Sequence, residues 1–142
     1  MATGLIYRGS GDAHAGRILK QFLLADSTAF TLGDAVKFDG VTGTLILAGA
    51  GGALLGPITA FLKADSTPIT DNGAGADFTN TYTTPASNTV VAVVDVSKSS
   101  LYSIDADATL GTTAGSDKAG VTFDLLAASD QIDESSVLPA RS

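Results

Sequence analysis

TLGDAVKFDGVTGTLILAGAGGALLGPITAFLKA, residues 31–64, reads as three short strands. Val36 and Phe38 alternate with Lys37 and Asp39, the period of two that a half-buried strand requires. Asp39-Gly40 follows as a turn dipeptide, because glycine accepts the positive φ of a tight hairpin. Thr44–Ala48 is a second apolar run and Leu54–Leu62 a third, with Gly56-Pro57 marking a bend or an edge. The three are expected to form a meander, around which the rest of the chain adds strands. No catalytic group lies within it.

The composition supports that choice. A chain of 142 residues fits one domain that buries about two-thirds of its unfolded surface. Apolar residues make up 44% but aromatics only 6%, so Ala, Val, Leu and Ile are expected to fill a core of thin layers. Fourteen of the fifteen acidic residues are Asp and only Glu134 is Glu. Asp competes for backbone hydrogen bonds and suits caps and turns, whereas Glu favours helices. With 16 Gly and many Thr and Ser, this predicts an all-β, turn-rich domain, a small sandwich or barrel, without long helices.

Other classes are set aside on chemistry. Without cysteine there is no disulfide, thiol nucleophile or Cys-based metal site. Met1–Gly16 lacks the apolar core of a signal peptide, and no run approaches the roughly 18 residues of a membrane span. A soluble protein made in the cytoplasm, with no membrane partner, is therefore expected. Residues 1–70 balance five acids with five bases, while residues 71–142 carry ten acids against Lys98, Lys118 and Arg141 and so all of the net charge of −7. That half would repel a phosphate backbone, which argues against nucleic acid as a partner. The acidic half either serves solubility alone or faces water while the neutral half faces a partner.

In chain order, residues 1–16 form a small, Gly-rich N-terminal arm whose apolar patch is Leu5-Ile6-Tyr7. Arg17–Ala25 places Ile18, Leu19, Phe22 and Leu23 on one helical face, yet it is short and flanked by Gly16 and Asp26-Ser27; strand is the reading taken. Phe22–Thr31 (FLLADSTAFT) and Phe61–Thr70 (FLKADSTPIT) share seven of ten positions. Chance together with turn preference explains the echo, or else two β units end in the same turn; two copies do not make a solenoid. Residues 71–89 are a long polar loop, and Val90–Val96, dense in β-branched residues, is a strand. Leu101–Ile104 and Val121–Leu126 are further strands, with loop or a weak helical turn over Ala106–Gly120. The β domain thus covers residues 17–126, and residues 127–142 form a polar C-terminal tail in which Pro139 stops any strand.

Motifs of chemistry are weak. Gly49–Ala53 imitates a dinucleotide loop, but Leu54 stands where the third glycine belongs and Pro57 would break the helix the motif needs. Asp71–Asp77 imitates a calcium loop without the terminal Glu or flanking helices. His14 is the sole histidine, no Gly-x-Ser-x-Gly elbow exists, and Asp105 with Asp107 reads as a turn edge before it reads as a carboxylate pair. No enzyme, no catalytic residue, no metal and no cofactor are expected.

The runs LGDAVKFDG…LILAGAGGALLGPITAF and VVAVVDVSKSSLYSIDADATLG…AGVTFDLLAAS resemble the small decoration proteins, also called cement or head-stabilising proteins, of tailed-bacteriophage capsids. The likeness spans roughly residues 17–130 and is one of layout: a Gly-Asp-Ala-Val strand entry, a Leu-Gly-Pro bend, and an aromatic strand before a Thr-Leu-Gly turn. It implies a β-clip or β-tulip fold with terminal arms, a homotrimer, and a place on the capsid exterior bridging major capsid protein subunits. The capsid contacts are then expected from Leu5, Ile6, Tyr7 and Arg8, adding a strand to a shell edge, together with Arg17. A tail or fibre subunit, which would not sediment with assembled heads, and a trimeric β-clip nucleotide hydrolase, which would respond to nucleotides in a thermal-shift screen, are the alternatives.

Overall fold

The computed structural model describes residues 4–11, 16–49, 54–73, 75–106, 122–125 and 131–138; every element among them is a strand. The chain is all-β, as composition predicts. In order the strands are β1 (Ile6–Ser10), β2 (Leu19–Leu23), β3 (Ala29–Thr31), β4 (Ala35–Phe38), β5 (Leu45–Leu47), β6 (Gly56–Leu62), β7 (Thr81–Thr83), β8 (Val91–Asp95), β9 (Ser100–Ser103), β10 (Asp105–Ala106), β11 (Thr122–Leu125) and β12 (Gln131–Leu138).

The body is an antiparallel five-stranded sheet in the order β2-β8-β6-β4-β5. The three strands of residues 31–64 all form, but not as a meander. β4 lies in the middle, with β5 on one edge and β6 on the other. Ala48 N–H reaches Ala35 C=O at one end of the intervening segment, and Leu55 N–H reaches Val36 C=O at the other. β6 therefore pairs with the other edge of β4 instead of adding beyond β5. Gly56-Pro57 is neither bend nor edge: Gly56 and Pro57 begin the central strand β6 opposite Val36 and Ala35. Glycine is required there because a Cβ would overlap the Asp95 carbonyl oxygen of neighbouring β8.

Alternation along five antiparallel strands makes the two edge strands, β2 and β5, run in the same direction. They meet at one end only, through a parallel bridge between Leu24 and Leu45 and a 2.9 Å bond from Ala25 N–H to Leu45 C=O. An odd-stranded antiparallel sheet that closes must have one parallel seam, and this seam is open beyond Leu24. The result is a small all-β body whose two edge strands touch at one point.

Leu24, Phe30, Val36, Leu45, Ile58, Phe61, Tyr82, Val90, Ala92 and Val94 make the core. Seven of these ten are Ala, Val, Leu or Ile, as composition predicts, and three aromatics join them: Phe61 meets Tyr82 at 5.9 Å and the half-buried Phe78 edge-on at 5.8 Å. Phe30 and Tyr82 arrive on β3 and β7, a two-stranded ribbon within stretches read from sequence as turn and loop. Buried polar groups are satisfied locally. Asn88 donates to Leu24 C=O and Val90 C=O and accepts from Val90 N–H, stitching the end of β2 to the start of β8.

The echoed segments do share a turn. Ser27 and Ser66, equivalent in the two copies, have φ of 49° and 68°, the only positive values at non-glycine positions among the described residues. Their consequences differ. The second copy folds back on its own strand, Lys63 N–H bonding Thr67 C=O and Ile69 N–H bonding Phe61 C=O, whereas the first continues into β3.

Two smaller sheets complete the described chain. β1 pairs with β9, so the N-terminal arm, in its described part, is a strand of the molecule itself. β12 pairs antiparallel with β11 and parallel with β10, so the C-terminal tail contains an eight-residue strand, ending one residue before Pro139.

Candidate functional site

Two features stand out: a buried carboxylate that binds the N-terminal strand to the body, and apolar side chains on the outside of β1, β2 and β9. Asp95 ends β8, the most apolar run in the chain, and is 1% exposed. Its Oδ1 accepts the Ser97 N–H at 3.0 Å. Its Oδ2 accepts Arg17 Nε–H at 3.2 Å, the Ser100 hydroxyl at 2.8 Å and the Tyr102 hydroxyl. Burial alone would raise its pKa; hydrogen bonds from Tyr102, Ser97, Ser100 and Arg17 outweigh burial and hold the carboxyl below its ordinary value. Tyr102 is pushed the other way, to about 12, by burial and by its bond to Asp95. The Arg17 guanidinium lies 4.1 Å from the centroid of the Tyr7 ring, and Tyr7 meets Tyr102 edge-on at 6.1 Å.

Of the five residues expected at a partner surface, the structure therefore brings two together. Tyr7 and Arg17 belong to the Asp95 cluster and hold β1 in place. Leu5 anchors through its backbone, its N–H donating to Gly33 C=O at 2.8 Å. Ile6 and Arg8 alternate with Tyr7 and face outward, with Arg8 Nε–H on the Ser103 hydroxyl. Leu101, opposite Gly9 on β9, adds a further exposed apolar group to this ribbon. Asp95 and Tyr102 escape a reading by periodicity alone. The available signal is a lone charge inside VVAVVDV, followed seven residues later by a tyrosine in a short strand.

The remaining sequence candidates have structural duties or lie outside the described residues. Gly49 leads, after residues 50–53, into strand β6 and not into a helix, which removes the dinucleotide reading. Asp71 and Asp77 bridge the base of a hairpin in which Asp71 accepts Gly73 N–H at 2.8 Å. Asp39 locks the β4–β5 turn by accepting Val41 N–H and the Thr42 hydroxyl. A groove of about 520 Å³ between Leu23 and Thr42–Thr44 is open, and Asp26 on its wall is bonded to Asn88 N–H. His14 and Asp107 lie outside the described residues, and Asp105 pairs in β10.

Neither a family model, a curated protein nor a solved structure matches the chain.

Proposed function

We propose that this is a structural virion protein that binds the outer surface of a phage capsid and stabilises it by bridging major capsid protein subunits, acting as a homo-oligomer without cofactor or catalysis. The resemblance of residues 17–130 in layout to capsid decoration proteins supplies the class. The observation that carries the reading is the β1–β9 ribbon: Ile6, Arg8 and Leu101 face outward while Tyr7, Arg17 and Asp95 fix the ribbon from within. A strand held this way presents side chains at little ordering cost, and repeated weak contacts on a shell gain by avidity.

Capsid shells stripped of this chain and then mixed with it should carry it down a gradient in stoichiometric amount. The double variant Ile6→Asp, Arg8→Glu changes only outward-facing side chains, so it should remain folded and lose most of that binding. A folded double variant that binds as well as the parent would refute the β1 surface. A parent chain that stays at the top of the gradient would refute the capsid reading itself.

A further inference from the structure

We infer that the β1–β9 ribbon docks on a side-chain carboxylate of the shell protein, received by the terminal nitrogens of Arg8 between Ile6 and Leu101; this rests on the capsid reading and adds the chemistry of the partner's side. Charge along the chain is the first ground. Residues 1–11 and 96–104, which hold both strands of the ribbon, contain Arg8 and Lys98 and no acid, in a chain whose net charge is −7. Asp12 and Asp105 are the first acids after β1 and β9. Asp95, beneath the ribbon, is buried and matched by Arg17. An acidic molecule is repelled by an acidic surface in most orientations, so a patch of the other sign decides which face makes contact.

Arg8 is presented by a break in the pairing. Tyr7 stands opposite Tyr102 and Gly9 opposite Leu101, with a register shift between them, so Arg8 is the extra residue of a β-bulge. Bulges re-aim side chains, and this one uses a φ of 140° at position 9 that glycine accepts. A Cβ added there would meet no atom within 4 Å. The space beside Arg8 is therefore open, with Leu101 exposed on the neighbouring strand and Ile6 two residues away on the same face.

Ser103 fixes the donor. Its hydroxyl accepts Arg8 Nε–H at 2.8 Å across the ribbon, so the guanidinium is held before a partner arrives. With Nε occupied, the two terminal nitrogens remain, and no group among the described residues bonds them. Their parallel N–H groups match the two oxygens of a carboxylate, a geometry that a lysine ammonium does not offer. Phosphate oxygens would fit the same fork, but a nucleic-acid backbone would also meet the acidic remainder of the chain. A single Asp or Glu on a protein surface comes instead with apolar neighbours that suit Ile6 and Leu101.

Stripped shells treated with a carbodiimide and glycinamide, which turns exposed carboxylates into neutral amides, test the partner's side. Such shells, intact by electron microscopy, should bind the parent chain about tenfold more weakly than untreated ones. On untreated shells Arg8→Lys, which keeps the charge and loses the fork, should bind several-fold more weakly. Lys20→Gln, which removes one exposed charge from β2, should match the parent. Arg8→Glu should lose binding to untreated shells and regain part of it on amidated ones. Arg8 and Lys20 are exposed, so each variant should keep the circular dichroism of the parent. Undiminished binding to amidated shells, Arg8→Lys equal to the parent, or equal losses from Arg8→Lys and Lys20→Gln would overturn the carboxylate contact while leaving the capsid reading in place. A parent chain that fails to bind untreated shells would overturn both.

Discussion

Asp95 shows how one side chain can decide the placement of a strand. A carboxylate buried at the end of β8 is costly unless donors surround it, and four do: the Ser97 amide, Ser100, Tyr102 and Arg17. Two of them, Ser100 and Tyr102, lie on β9, and Arg17 carries the Tyr7 ring of β1. Asp95→Asn leaves these donors poorly matched and should cost about 2–3 kcal/mol in urea unfolding at pH 7. Because the native carboxyl sits below its ordinary value of 3.8, its contribution is present above that pH and is lost as pH falls further. The gap between parent and Asp95→Asn should therefore narrow below pH 3.8. At the alkaline end, Tyr102 keeps its proton to about pH 12 in the fold but releases it near 10 when unfolded. Stability tied to it is complete below pH 10 and lost between 10 and 12, so the parent should weaken relative to Tyr102→Phe across that window. Gly56 is the second residue with no substitute: Gly56→Ala pushes a methyl into the Asp95 carbonyl and should cost about 3 kcal/mol or more, read as a fall in the urea midpoint.

Strands were legible where alternation is local. Val36/Phe38, Thr44–Ala48, Leu54–Leu62, Val90–Val96, Leu101–Ile104 and Val121–Leu126 each overlap an observed strand, with ends that differ by a residue or two. Their neighbours were not legible. The alternation of β4 is the same whether β6 adds beyond β5 or returns to its other side, and the pairing of Val36 and Ala35 with Gly56 and Pro57 shows the second. β3 and β7 are three residues each, too short for a period, and are joined by Phe30 opposite Tyr82 and by the Thr31–Thr81 hydroxyl pair. β12 escapes because Ile132, Val137 and Leu138 do not keep a period of two, and its pairing with β11 shifts register between Phe123 and Asp124. The residues expected as capsid contacts divide by position: Ile6 and Arg8 face outward, whereas Tyr7 and Arg17 belong to the Asp95 cluster beneath. The repeated Ala-Asp-Ser-Thr turn was visible as an echo, and its two copies should respond differently to mutation. Asp26 holds Asn88, which stitches β2 to β8, whereas Asp65 accepts the amide and hydroxyl of Thr67 beside it. Asp26→Ala should therefore lower Tm by more than Asp65→Ala, as differential scanning calorimetry would record.

At the scale of the whole molecule, the five-stranded sheet carries the core, and exposed apolar groups lie on several elements: Ile6 and Leu101 on the β1–β9 ribbon, Leu19 and Leu23 on β2, and Phe38 at the end of β4. Hydrogen exchange should be slowest in β4, β6 and β8, each paired on both edges, and faster in β1 and β9, which pair only with each other. Such a body is suited to holding neighbours in register. The most direct test is cryo-electron microscopy of capsids assembled with and without this chain. The account predicts added density of this size on the outer surface, spanning the junction between major capsid protein subunits and oriented with the β1–β9 ribbon against the shell. Identical exteriors in the two maps, or density for the chain only in the tail, would contradict it.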